Sequence, residues 1–166
     1  MQTNKRLGDG LATAVVGDVL IAVWQSPATV ERWQWLKAQV DALLTRSPGG
    51  FVCFYIILSS STPPNAALRT KMQAHFRRLG PELRRLVVVP LGDSLWKSVV
   101  RTLVRAIMLV SGRAKQQAVA ASIDEGIDRV LDVAGPNTPT RAELRAGAEA
   151  LLRMLGAQEL VAAHHP

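Results

Sequence analysis

The chain is expected to fold as an α/β sandwich: a mainly parallel five-stranded sheet that opens on an antiparallel hairpin, with helices on its faces. Three observations predict this class. Short β-branched or wholly apolar runs alternate with longer stretches of helical periodicity. The longest apolar run, 51–58, is apolar at every position, as in a strand buried on both faces. Single helical crossovers between buried strands imply parallel pairing with right-handed connections. With 166 residues, 48% hydrophobic and 20% charged, the chain has the size and composition of one globular domain and not of a disordered or fibrous protein.

Residues 12–24 form the expected hairpin, with Ala-Thr-Ala-Val-Val and Val-Leu-Ile-Ala-Val-Trp on either side of Gly17-Asp18. Ser26 before Pro27 has the order of a helix cap and first turn, and Trp33, Leu36, Val40, Leu43 and Leu44 recur at helical spacing until Ser47-Pro48-Gly49-Gly50. The run 51–58 is the central strand. Ser59-Ser60-Ser61-Thr62-Pro63-Pro64 closes it, and Thr62 with Pro63 is expected to start a second helix, with Leu68, Met72, Phe76 and Leu79 on one face and Gly80-Pro81 as its stop. A short buried strand follows at 86–89 and ends at Pro90, which cannot donate to a ladder.

Asp93 or Ser94 caps the third helix, whose stripe of Trp96, Val99, Val100, Leu103, Val104, Ile107 and Met108 is the clearest periodicity in the chain, ending at Gly112. The last strand is expected at 117–121. Ser122 and Glu125 stand at capping-box spacing, Ile127, Val130 and Leu131 form the buried face, and Gly135-Pro136 ends that helix. Residues 136–139 read as a linker. Thr140 and Glu143 repeat the box, and Leu144, Ala148, Leu151, Leu152 and Leu155 give a final amphipathic helix. The expected division is therefore a domain over 1–135 and a linker with an accessory helix over 136–166. The leucine stripe of that helix needs the sheet or a second subunit as cover.

Several function classes lose ground on composition. No apolar run is long enough to span a bilayer, and the start has no apolar segment before a cleavage site, so a cytoplasmic location is expected. A single cysteine, Cys53, can form neither an internal disulfide nor a zinc site with other cysteines. The net charge of +7 is uneven: residues 66–115 hold eleven basic and two acidic side chains, whereas 116–166 hold four basic and seven acidic. Such a block suits an anionic partner, and without interleaved aromatics or a nucleic-acid-binding motif an acidic protein surface is favoured over nucleic acid.

The run Leu86-Val-Val-Val-Pro-Leu-Gly-Asp-Ser-Leu-Trp96-Lys97, followed by a strand and Ser122-Ile-Asp-Glu-Gly-Ile-Asp-Arg-Val-Leu131, resembles the SpoIIAA-like (STAS/SEC14-like) family of small bacterial proteins over roughly residues 12–134. The resemblance implies a non-enzymatic domain that binds partners, and in some relatives holds an apolar ligand. It also implies a role for the loop after the third strand, where antagonists of that family carry Asp-Ser-Ser/Thr-Gly and are phosphorylated on serine. The matching stretch here, Ser59, Ser60, Ser61 and Thr62, lacks both the aspartate and the glycine.

The residues themselves suggest few catalytic arrangements. Glycine-rich phosphate loops, the dinucleotide fingerprint, His-Glu-x-x-His and the serine elbow are absent from the sequence, and no cofactor is expected. His164 and His165 sit at the end of the chain. His75 falls on the face of Leu68, Met72, Phe76 and Leu79, where a partly buried structural histidine is the simpler expectation. Asp124, Glu125, Asp128 and Asp132 are explained by a helix start and an exposed row without metal. Lys97, Arg101 and Arg105 form a like-charged i, i+4, i+8 row that calls for something anionic opposite. Trp35 lies off its helix's apolar stripe and is expected to face outward, as a contact for a partner or for a homodimer. The leading expectation is a regulatory or protein-interaction domain. Its alternative is a binder of an apolar or lipid-like ligand between the third helix and the sheet.

Overall fold

The computed structural model describes residues 3–8 and 10–157, with side chains from Leu7 onward, so His164 and His165 lie outside the described residues. Among the described residues six strands form one sheet in the order of the chain: β1 (Thr3–Leu7), β2 (Leu11–Val16), β3 (Val19–Trp24), β4 (Phe51–Leu58), β5 (Leu83–Leu91) and β6 (Gln117–Val119). The first three pair antiparallel and the remainder parallel. The helices are α1 (Val30–Arg46), α2 (Ala66–Leu79), α3 (Ser94–Val110), α4 (Ile123–Leu131) and α5 (Arg141–Met154). No described helix is long and apolar enough to cross a membrane.

Because each parallel strand is added on the same side of the last, right-handed crossovers bring α1, α2 and α3 to one face. Strand periodicity separates the two cores accordingly. Leu20, Ala22 and Trp24 of β3, Cys53 and Tyr55 of β4, and Leu86 and Val88 of β5 pack under α1–α3. The alternate residues Ile21, Val23, Phe54, Ile56, Val87 and Val89 pack under α4 and α5. The result is three layers with a sheet apolar on both faces.

The structure revises four sequence expectations. The sheet has six strands where five were expected, because β1 (Thr-Asn-Lys-Arg-Leu) is an edge strand and edges need no apolar alternation. β5 continues through Pro90. Ala120 N donates to Val88 O, so Val88 and Pro90 turn their backbone groups toward β6, which pairs no further than Val88. The missing N–H therefore costs no ladder bond. The first two helices start later than Ser26 and Thr62, with Thr29 and Asn65 as their caps. Pro63 and Pro64 hold the chain extended, so the turn can close only at Asn65, whose side chain accepts from Leu68 N. Trp35 is half-buried against the α1–α3 core, not turned away from it.

The α5 stripe is covered by the sheet: Leu144, Ala148, Leu151 and Leu152 are fully buried with β2 and β3 residues. Its Thr140–Glu143 capping box is complete. Arg145 and Arg141 pair with Asp124 and Asp128 of α4, which accounts for that acidic row. Gly126 explains how closely α4 approaches. A Cβ there would lie 2.6 Å from Val89 Cγ2 and 2.7 Å from Phe54 Cε2. The segment between α4 and α5 is also held, since Arg84 at the start of β5 pairs with buried Asp18 and donates to Val133 O, while Thr138 Oγ1 donates to Asp18.

Candidate functional site

An apolar cavity of about 80 Å³ lies at the carboxyl ends of β3, β4 and β5, between the sheet and helices α2 and α3. Its position follows from the periodicities. Tyr55 and Ile57 of β4, with Leu86 and Val88 of β5, are alternate residues that share the floor. Trp96, Val100, Leu103, Val104 and Ile107 recur along one side of α3 and form a wall. Leu68, Met72 and Phe76 of α2 face them, Trp24 and Trp33 close the end, and residues 61–64 form the rim. Thr62 and Pro63 are exposed, which puts the opening at this loop. The free volume is about half that of an engineered apolar cavity that takes up benzene.

The Gly-Asp pair before the tryptophan helix builds part of this site. Asp93 caps α3 by accepting from Trp96 N at 2.8 Å. Gly92, at φ 154°, lies so close that a Cβ would come within 2.8 Å of Ser59 Cβ and 2.9 Å of Trp96 Cδ1. Only glycine lets the indole seat against the chain between the rim and the wall.

Two polar atoms of the lining are enclosed without a strong partner among the described residues. The Trp96 indole Nε1 makes no hydrogen bond, and the Tyr55 hydroxyl has only the weak Cys53 thiol beside it. Tyr55 is 5% exposed, and burial, with neighbouring Cys53 adding, pushes its hydroxyl well above its ordinary pKa. An enclosed donor without an acceptor costs about 1–3 kcal/mol. Among the described residues no lining side chain is charged. Cys53 lies on the same strand face, where burial raises its thiol to about 12, so it stays protonated and is a poor nucleophile.

His75 stands behind the cavity. Its ring meets Trp33 edge-on, with centroids 5.3 Å apart and planes at 82°. Burial pushes it down to about 4, against the pull of Asp41 and with Lys37 and Arg78 adding to the depression. The neutral ring has Arg78 Nη2 3.4 Å from Nδ1, and its buried Nε2 is unpartnered.

The serine loop is the rim and not a helix start. Ser60 Oγ donates to Gln25 O at 2.6 Å and Ser61 Oγ to Ser26 O at 3.1 Å, tying the loop after β4 to the loop after β3. Ser61 is buried, whereas Ser59, Ser60 and Thr62 are exposed. Since Asn65 caps α2, these hydroxyls precede the helix terminus and do not sit over its first N–H groups.

Six of the eleven basic side chains in the block are engaged internally. Arg84 pairs with Asp18, Arg78 with Asp41 and Arg85 with Asp132, and Arg69, Arg77 and Arg113 donate to backbone carbonyls. Lys97, Arg101 and Arg105 make no ion pair among the described residues, and the two arginines are exposed. Among the described residues no three His, Cys, Asp or Glu side chains are grouped as a metal site would need.

The sequence picked out the third helix and the serine loop, and the structure brings both to one cavity. It did not point to Tyr55, Trp24 or Trp33. The available signal was one hydroxyl-bearing side chain inside an otherwise apolar strand. No family model, curated protein or solved structure matches the chain.

Proposed function

We propose that this is a non-enzymatic binding domain that holds a small apolar molecule, or the apolar end of a longer one, between α3 and the sheet. The observation that carries this is the uncharged cavity whose lining includes Tyr55 and Trp96, each with an enclosed polar group that lacks a strong partner. Such a lining suits a neutral ligand with an apolar body and one hydrogen-bond acceptor, such as a carbonyl or ether oxygen. A carboxylate or phosphate would be buried without a counter-charge. The STAS-like resemblance supports the same assignment and extends it to a regulatory domain of the bacterial cytoplasm that reports occupancy to a protein partner.

The rim favours a second, compatible reading in which modification of the serine loop controls the site. Ser60 is exposed, and phosphorylation would remove the hydroxyl proton that bonds Gln25 O across the two rim loops.

Three of the four tryptophans line the cavity, so intrinsic fluorescence reports on it directly. Titration with short methyl ketones should shift the emission and raise the melting temperature, while alkanoates of equal length should do neither. Tyr55→Phe should weaken ketone binding, and Val104→Phe should abolish it in a protein that still melts cooperatively. Equal responses to ketones and alkanoates, or no response in the unmodified protein, would refute the assignment.

A further inference from the structure

We propose that the groove between α3 and the outer edge of β6 takes an extended acidic peptide segment as an added strand. The groove, about 460 Å³, is lined by Arg101, Arg105 and Leu109 of α3 and by Gln117 and Val119 of β6. It uses the flank of α3 that carries its cations, and so stands independently of the cavity.

Among the described residues, β6 is the last strand of the sheet and pairs only with β5. Ala120 N donates to Val88 O at 2.9 Å, so Ala118 and Ala120 turn their backbone toward β5. By the alternation of a parallel ladder, the Gln117 carbonyl and both backbone groups of Val119 face outward. These are the groups an incoming strand would pair with.

Charge and spacing identify the kind of segment. Arg101 and Arg105 are exposed and one turn apart, without a carboxylate opposite among the described residues, and like charges at this spacing disfavour each other. Four helical residues rise about 6 Å, and same-face side chains of a strand recur about every 6.7 Å. Alternate acidic residues on an added strand would therefore meet Arg105 and Arg101 in step. Leu109 continues the row by one turn and is 63% exposed, matching an apolar residue at the next alternate position. The segment expected is thus acidic, any, acidic, any, apolar. Nucleic acid fits less well, because no aromatic side chain lines the groove.

Fluorescence anisotropy with a labelled Glu-Val-Glu-Val-Leu peptide in the full-length protein at low salt tests the proposal. The acidic peptide should bind, and its lysine counterpart should not. Arg101→Glu with Arg105→Glu should weaken binding by about tenfold or more while the melting temperature is unchanged. N-methylation of the peptide at one alternate set of amides should abolish binding, whereas the other set should be tolerated, because only one set faces β6. Absence of binding by the acidic peptide, equal binding by both N-methylated forms, or binding unaffected by the arginine reversals would each overturn the proposal. So would tight, salt-steep binding of a single-stranded oligonucleotide that the acidic peptide fails to displace.

Discussion

On the α4–α5 side of the sheet, small residues let the layers close: Ala12, Ala14 and Ala148 are fully buried, and Gly126 leaves no space for a methyl group. Ion pairs from Asp124 and Asp128 to α5 join the two helices at their surface. On the α1–α3 side the core is built from large rings, Trp24, Trp33, Tyr55 and Phe76, which are rigid and leave the cavity where they meet α3. That side also keeps polar atoms without a strong partner, on Tyr55, His75 and Trp96. One face is packed for cohesion, its own unpartnered polar atoms lying within the ion pairs of Asp18, Arg84 and Arg85, and the other retains room and unused hydrogen-bonding capacity within its apolar core. The difference locates binding on the second face, because a ligand can gain only where the protein has left contacts unmade.

The largest test of this contrast removes the cover from the cohesive side. Deletion of residues 137–166 would expose the faces of β2 and β3 that α5 buries. The sequence suggests a removable accessory helix, but the packing predicts loss of the cooperative fold, seen as loss of a urea transition by circular dichroism. A truncated protein that unfolds cooperatively with an unchanged midpoint would show that α5 is dispensable.

A second test addresses the opposite end of the strands from the cavity. Arg84→Met leaves Asp18, 3% exposed, as a buried charge without its guanidinium. The expected cost is roughly 3–5 kcal/mol by denaturant unfolding. Asp18→Asn in the same protein should recover part of that loss.

The ring behind the cavity gives a pH dependence. His75 is neutral in the fold, with its pKa lowered from 6.5 to about 4. The unfolded chain therefore binds the extra proton between those values, and stability should fall as pH drops through that window and level off below it. The contribution is on the order of 3 kcal/mol. His75→Phe should flatten the upper part of the window, above the range in which carboxylates titrate. An unchanged slope in that variant would assign the dependence to other groups.

The smallest effect compares two adjacent residues of β5 that face opposite layers. Val88 lines the cavity, whereas the Val89 methyl abuts Gly126. Val88→Ile should be tolerated within about 0.5 kcal/mol, and Val89→Ile should cost about 1–3 kcal/mol from overpacking. Equal costs on thermal unfolding would mean that the two faces are packed alike.

The α/β class, the central strand, the hairpin at Gly17-Asp18 and the α3 stripe were legible in the sequence because each is a local pattern. Alternation, helical periodicity and turn chemistry act over a few residues and need no partner to be read. The start of α2 was misplaced because two adjacent prolines outweigh a threonine cap, and β1 was missed because an edge strand carries no apolar signal. The tertiary structure alone decided that Trp35 packs inward and that α5 closes the sheet. It also decided that most of the basic block is engaged internally, and that the serine loop, Tyr55 and three distant tryptophans frame one cavity. These depend on which surfaces meet across long separations in the chain, and burial, ion pairing and unmade hydrogen bonds are properties of pairs of surfaces that a single sequence position does not carry.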